Sequence, residues 1–130
     1  MSRKKSQIDR RIAKSYRLIL AEARLPNRNN TMIASAGGRS ARWLDGRLQT
    51  DAQFAFDYFT ARHDGYTAEI EPLEEMARSV DYEMRLDGRK MLERRISQRE
   101  NNAHQIELAR MRLEGQEGNP NPDAVMADID

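Results

Sequence analysis

The chain has no cysteine, which excludes disulfides and thiolate metal sites and fits a reducing compartment. Aromatics are scarce at 6%. The longest apolar runs, such as Leu18 to Ala21, are far too short for a membrane span or a signal-peptide core. No apolar/polar alternation is long enough for a strand, and no internal repeat is visible. There is no Gly-x-Ser-x-Gly elbow and no Gly-x-x-x-x-Gly-Lys phosphate loop. His63 and His104 each lack a partner at metal-ligand spacing, and His63 and Asp64, as helical neighbours, face apart. Both histidines read as structural. The carboxylates Glu69, Glu71, Glu74 and Glu75 read as a solvated face, not a cation site. No catalytic residue, metal ligand or cofactor site is expected, and the chain reads as a binding protein.

What it does have is charge, 33% of its residues. The net value of +1 hides a division along the chain. The first fifty residues carry twelve Lys or Arg against three acids (Asp9, Glu22, Asp45), and the remaining eighty carry ten against eighteen. A basic end of about +9 on a body of about −8 suggests a face for a polyanion and another for protein contacts. With 38% apolar residues in 130, a lone chain has a thin core, so association with further copies is expected.

The spacing predicts an all-α chain. Ile8, Ile12, Tyr16, Ile19 and Ala23 mark an amphipathic helix over residues 8–25, closed by Pro26 and the polar cluster after it. Residues 31–36 form a short second helix, with Asn30 or Thr31 as its cap. Gly37-Gly38 breaks the chain, and Ser40 caps a third helix to Arg47 or Leu48. Two short helices around a glycine turn, the second bearing arginines, have the layout of a helix-turn-helix. From Thr50 or Asp51 a longer helix carries Phe54, Tyr58 and Ala61, and Pro72 is expected to bend it or start another. The stripe Leu73, Met76, Ala77, Val80, Met84 is expected to stop at Asp87-Gly88. A last helix spans 89–113, its heptads broken by Arg99 and Arg110. This gives a head (1–50), an oligomerisation region (51–114) and a mobile acidic tail (115–130).

Gly37-Gly38 followed by a helix start exposes N–H groups suited to a phosphate. The expected DNA-binding set is Arg10, Arg11, Lys14, Arg28, Arg39, Ser40, Arg42 and Arg47, with Lys4 and Lys5 as a basic arm. Trp43 and Leu44 are expected to plug the head's core.

The stretch Ser40-Ala41-Arg42-Trp43-Leu44 resembles the recognition-helix region of small terminase subunits of tailed bacteriophages. Phe54, Tyr58 and Ala61, then Glu69-Ile70 and Glu74-Glu75-Met76-Ala77, look like that family's next helix. Arg85-Leu86-Asp87-Gly88-Arg89-Lys90 is similar to the opening of its second central helix. The resemblance covers roughly residues 10 to 97. It implies a non-enzymatic ring-like homo-oligomer in the infected bacterial cytoplasm, binding double-stranded viral DNA and presenting it to the large motor subunit. Arg39, Arg42 and Arg47 would then face DNA, and Phe54, Tyr58, Leu73, Met76, Val80, Leu92 and Ile96 would join subunits. The chain departs from the family at Pro72 and in lacking strand-like C-terminal segments. The alternatives are a virion assembly protein, such as a connector or scaffolding factor, and a dimeric helix-turn-helix regulator or phage-encoded inhibitor.

Overall fold

Polar side chains that satisfy free backbone N–H groups divide the chain into helices, as the sequence leads one to expect. The computed structural model describes residues 2–118, with side chains from 9 to 116. It contains α1 (Ser2–Ala23), α2 (Asn30–Ala36), α3 (Ala41–Thr50), α4 (Ala52–Ala77) and α5 (Tyr82–Gly118). The fold is all-α. Asn29, not Asn30 or Thr31, caps α2 by accepting from the Met32 N–H at 2.8 Å. Ser40 caps α3 and Asp51 caps α4. The Lys4-Lys5 arm and the tail from residue 119 lie outside the described side chains.

Three expected boundaries move. Pro72 neither ends α4 nor restarts it, since the helix runs on through Pro72 to Ala77. Losing one N–H and crowding one turn costs about 3 kcal/mol in a bare helix, and the packing of both flanks against a long neighbour offsets it. The real break falls at residues 78–81, where Asp81 accepts from the Met84 N–H at 2.9 Å and opens α5. Gly88 does not stop a helix but lies inside α5, where the backbone of Met76 and Ala77 comes close. At the far end α5 continues to Gly118, four residues into the tail expected from residue 115.

α1, α2 and α3 pack with the first half of α4 around Ile19, Ala23, Ile33, Ala34, Leu44, Phe54, Tyr58 and Ala61. α4 thus supplies three side chains of this core, Phe54, Tyr58 and Ala61. Inside it the Tyr58 hydroxyl donates to Asn30 Oδ1 at 2.7 Å, and burial pushes its pKa up to about 12.

α4 and α5 form an antiparallel hairpin. At 1.5 Å per residue they measure about 39 and 55 Å, so α5 outruns its partner and returns to the head. Beside half-buried Ile96 and Gln98, the residues of α5 withdrawn from solvent are Arg85, Gly88, Leu92, Arg95, Arg99, Asn102, Ile106, Ala109 and Leu113. Their steps of three and four are an unbroken heptad seam. Arg99 belongs to this seam and does not disrupt it, contrary to expectation, while Arg110 sits outside on an exposed ion-pair cluster with Glu107 and Glu114. Three polar members of the seam find partners on α4. Arg95 pairs with buried Glu69 at 3.7 Å, Arg99 donates to Thr67 Oγ1 at 3.4 Å and Asn102 Nδ2 to the Phe59 carbonyl at 2.7 Å. The Arg112 guanidinium closes the circuit, donating to the Leu48 and Gln49 carbonyls at 3.1 and 2.8 Å.

Candidate nucleic-acid interface

The turn between α2 and α3 is built by close approach. A Cβ on Gly37 would lie 2.7 Å from Ile19 Cγ1 and 2.8 Å from the Ser15 carbonyl, so only glycine lets α1 pass here. Gly38 follows at φ 72°, in the left-handed region. The Gly38 and Arg39 N–H groups donate back to the Ser35 and Ala34 carbonyls, both at 2.9 Å, and close the end of α2.

Ser15, buried on α1, joins the turn to the first arginine of the site. Its hydroxyl donates to the Gly37 carbonyl at 2.9 Å and accepts from Arg39 Nε at 3.0 Å. Arg39 lies over the Trp43 ring, its guanidinium carbon 4.5 Å from the centroid, and Arg47 approaches the same ring at 5.3 Å. Trp43 is half-buried and leans on Tyr16 with a 6.0 Å centroid separation. Leu44, 1% exposed, plugs the core, and Trp43 packs against that core while its ring also holds two guanidinium groups. Tyr16 donates to Asp51 Oδ2 at 3.0 Å; burial, then the Asp51 contact, pushes its pKa up to about 12.

Ser40 spends its oxygen lone pair on the Trp43 N–H at 3.1 Å, leaving its own O–H free to donate. Arg42 is exposed one turn ahead of Gly46. A Cβ on Gly46 would meet nothing within 4 Å, so bare backbone lies open beside Arg42. Sequence reasoning passed over Gly46, although a glycine four residues from an arginine in a short helix was the available signal.

Neither family models, nor curated proteins, nor solved structures match the chain. What the surface can do rests on its own geometry.

The structure brings together Arg39, Ser40, Arg42 and Arg47. Arg11 sits one turn before Ser15 and shares that side of α1. Arg10, Lys14, Arg17 and Arg24 are exposed at helical steps along one side of α1. Arg28 stands apart from the other basic residues. It pairs with Glu22 at 2.7 Å and donates to the Pro26 carbonyl at 3.1 Å, so it is consumed in folding the α1–α2 loop.

The expected subunit-joining residues also divide. Phe54, Tyr58 and Leu73 are buried within the chain itself and are unavailable to a second copy. Leu92 and Ile96 are half-buried on or beside the seam, and Met76 is half-buried beside Gly88. Val80 alone of that set is fully exposed, in the loop between α4 and α5.

Polar groups that periodicity did not flag hold the interior. Buried Arg62 donates to the Ala23 and Arg28 carbonyls at 3.4 and 3.1 Å and stacks on Tyr66 at 4.4 Å. It caps the end of α1 from α4. Glu69 Oε1 accepts from the N–H of Asn27, whose φ of 58° makes the loop reverse. Among the described residues no group of three acids or histidines could hold a metal ion, and no helix is long and apolar enough to cross a membrane.

Proposed function

We propose that this chain is a non-enzymatic DNA-binding protein that acts as an oligomer in the manner of a small terminase subunit. In that role it gathers viral DNA for a separate motor subunit in the infected cell. The observation that carries the reading is the Arg39–Trp43–Arg47 stack beside Ser40 and Arg42 at the start of α3. Two guanidinium groups held against a ring lose less freedom on meeting a phosphate than two mobile ones. The exposed Arg42 and open Gly46 allow a groove wall to come close, and the first turn of α3 offers N–H groups to an anion.

One head neutralises only a few phosphates, so its binding alone is weak and salt-sensitive. Several heads on one assembly multiply it through effective concentration. Val80, Tyr82, Met84, Leu86 and Met91 leave large apolar side chains exposed at one end of the hairpin, which supports subunit contacts there.

The test is fluorescence anisotropy of labelled duplex DNA titrated across salt, paired with sedimentation of the protein. Affinity should fall steeply with salt, and the wild type should sediment above the 15.1 kDa of one chain. Arg42→Ala should weaken binding by about 1–3 kcal/mol if the side chain reaches a base edge, and by less if it meets phosphate only. If the oligomer retains no duplex at low salt, the basic surface is a protein-docking face and the virion-assembly reading takes its place. A monomer at micromolar concentration would sink the ring.

A further inference from the structure

Between α1 and the start of α4 lies an open cleft of about 540 Å³. Its floor is apolar: Ala13, Leu20 and Ala21 surround the Tyr16 and Phe54 rings, which stack 3.8 Å apart. Its two lips carry opposite charge, Arg17 and Arg24 on α1 against Asp51 and Asp57 on α4. The acidic lip is already engaged. Asp51 accepts from the Tyr16 hydroxyl and the Phe54 N–H, and Asp57 accepts from Gln53 Nε2 at 3.1 Å. The basic lip is not, since Arg17 and Arg24 have no ion-pair partner among the described residues. The cleft is therefore an apolar trough between an acidic lip tied into its own hydrogen bonds and a basic lip whose guanidinium groups have no ion-pair partner among the described residues.

We propose that this cleft receives the chain's own segment 123–130, Asp-Ala-Val-Met-Ala-Asp-Ile-Asp. Three features fit it. Val125, Met126 and Ile129 stand at positions that share one side of a helical turn, giving one apolar edge to set on the floor. The segment has three acids and no base, which complements Arg17 and Arg24 and no other part of the lining. Its point of departure is also right. Arg112 fastens α5 to the carbonyls of Leu48 and Gln49, immediately before the Asp51 that lines the cleft. From Gly118 the residues 119–124 span up to about 20 Å at 3.3–3.6 Å each. Docked there, the segment masks the Arg17 and Arg24 flank of α1 and leaves the Arg39–Trp43–Arg47 surface open.

The absence of native cysteine makes the test clean. A nitroxide on Ala127→Cys in the full chain spares all three apolar anchors, and amide signals report its neighbours. Signals of Ala13, Leu20 and Ala21 should lose several-fold in height on labelling, while Glu93 on α5 keeps its own. Labelled chains without isotope, mixed with unlabelled isotopic ones, should broaden nothing, because the segment docks on its own chain. The double variant Arg17→Glu/Arg24→Glu should abolish the broadening, with the amide pattern of the core unchanged to show that the head is folded. Broadening that is absent, lies elsewhere, appears only in the mixed sample, or survives the charge reversal overturns the proposal.

Discussion

Gly65→Ala and Gly46→Ala are the same chemical change in two helix interiors, and they should move stability in opposite directions. Helix propensity alone favours alanine by about 1 kcal/mol at both positions. At Gly46 a Cβ meets nothing within 4 Å, so the variant should gain about 0.5–1 kcal/mol, with no contact to oppose it. At Gly65 the added carbon would sit 2.8 Å from the Ala23 carbonyl, 2.9 Å from that of Leu25 and 3.2 Å from Arg62 Nη1. Two of these are backbone atoms at the end of α1, and they retreat only if α1 and α4 separate. Separation stretches the Arg62 bond to Ala23, already 3.4 Å, and loosens the Tyr58 layer beneath. Overpacking of this kind costs about 1–3 kcal/mol, and against backbone atoms the upper part of that range applies, so after the propensity gain the net loss is up to about 2 kcal/mol. Urea unfolding followed by far-ultraviolet circular dichroism reads both variants on one scale. The midpoint should rise for Gly46→Ala and fall for Gly65→Ala at constant slope. A Gly65→Ala protein as stable as the wild type would refute the close crossing of α1 and α4.

Alkali should unfold the head. Tyr16 and Tyr58 have folded pKa values raised to about 12 from 10.0, so their contribution is complete below pH 10 and is lost as pH rises towards 12. Absorbance at 295 nm should show both ionising late, and Tyr58→Phe should remove one late step at a cost of about 1 kcal/mol. Trp43→Ala should cost about 2 kcal/mol, short of a fully buried ring because Trp43 is half-exposed, and near-ultraviolet dichroism with duplex binding should show lost stability and lost affinity together. Arg112→Ala should raise amide exchange in the last turn of α3, with Arg112→Lys failing to restore protection because one ammonium cannot match the two-pronged contact. Leu73→Asp should unfold the hairpin, costing about 3 kcal/mol or more, whereas Val80→Asp should leave the melting of the dilute protein unchanged. A large shift with Val80→Asp would show that the loop packs against something.

The head was legible where caps and apolar steps agree. Ser40 and Asp51 announce their helices, and Ile19, Ala23, Phe54, Tyr58 and Ala61 keep helical spacing because each faces one core. The hairpin was misread because its seam is not apolar. Arg95, Arg99 and Asn102 occupy buried positions by bonding to Glu69, Thr67 and the Phe59 carbonyl, and a pattern search over apolar residues passes over such positions. Pro72 and Gly88 mislead for a related reason. Each is a local helix breaker, and the long-range packing of two helices outweighs the local penalty. Within the basic end, sign and composition located charge but not orientation. Arg28 turns inward to Glu22, and Arg39 folds onto Ser15 and the Trp43 ring, an orientation that requires the position of α1.

The polar seam of the hairpin also governs which changes of length the protein can absorb. A shift of α5 by one heptad along α4 would set Arg99 where Leu92 or Ile106 now lies and carry Arg95 away from Glu69. Each guanidinium would lose its counterpart, at several kcal/mol for a charge stranded away from water. An insertion within 59–69 is therefore tolerated only with a matching one in 95–102, of seven residues in each. Residues added between Ala77 and Tyr82 escape this restriction, because the alignment below them is already locked. Natural variation in the length of this protein should accordingly collect at the hairpin's turn, and the distance from the seam to the arginines of α3 should stay fixed.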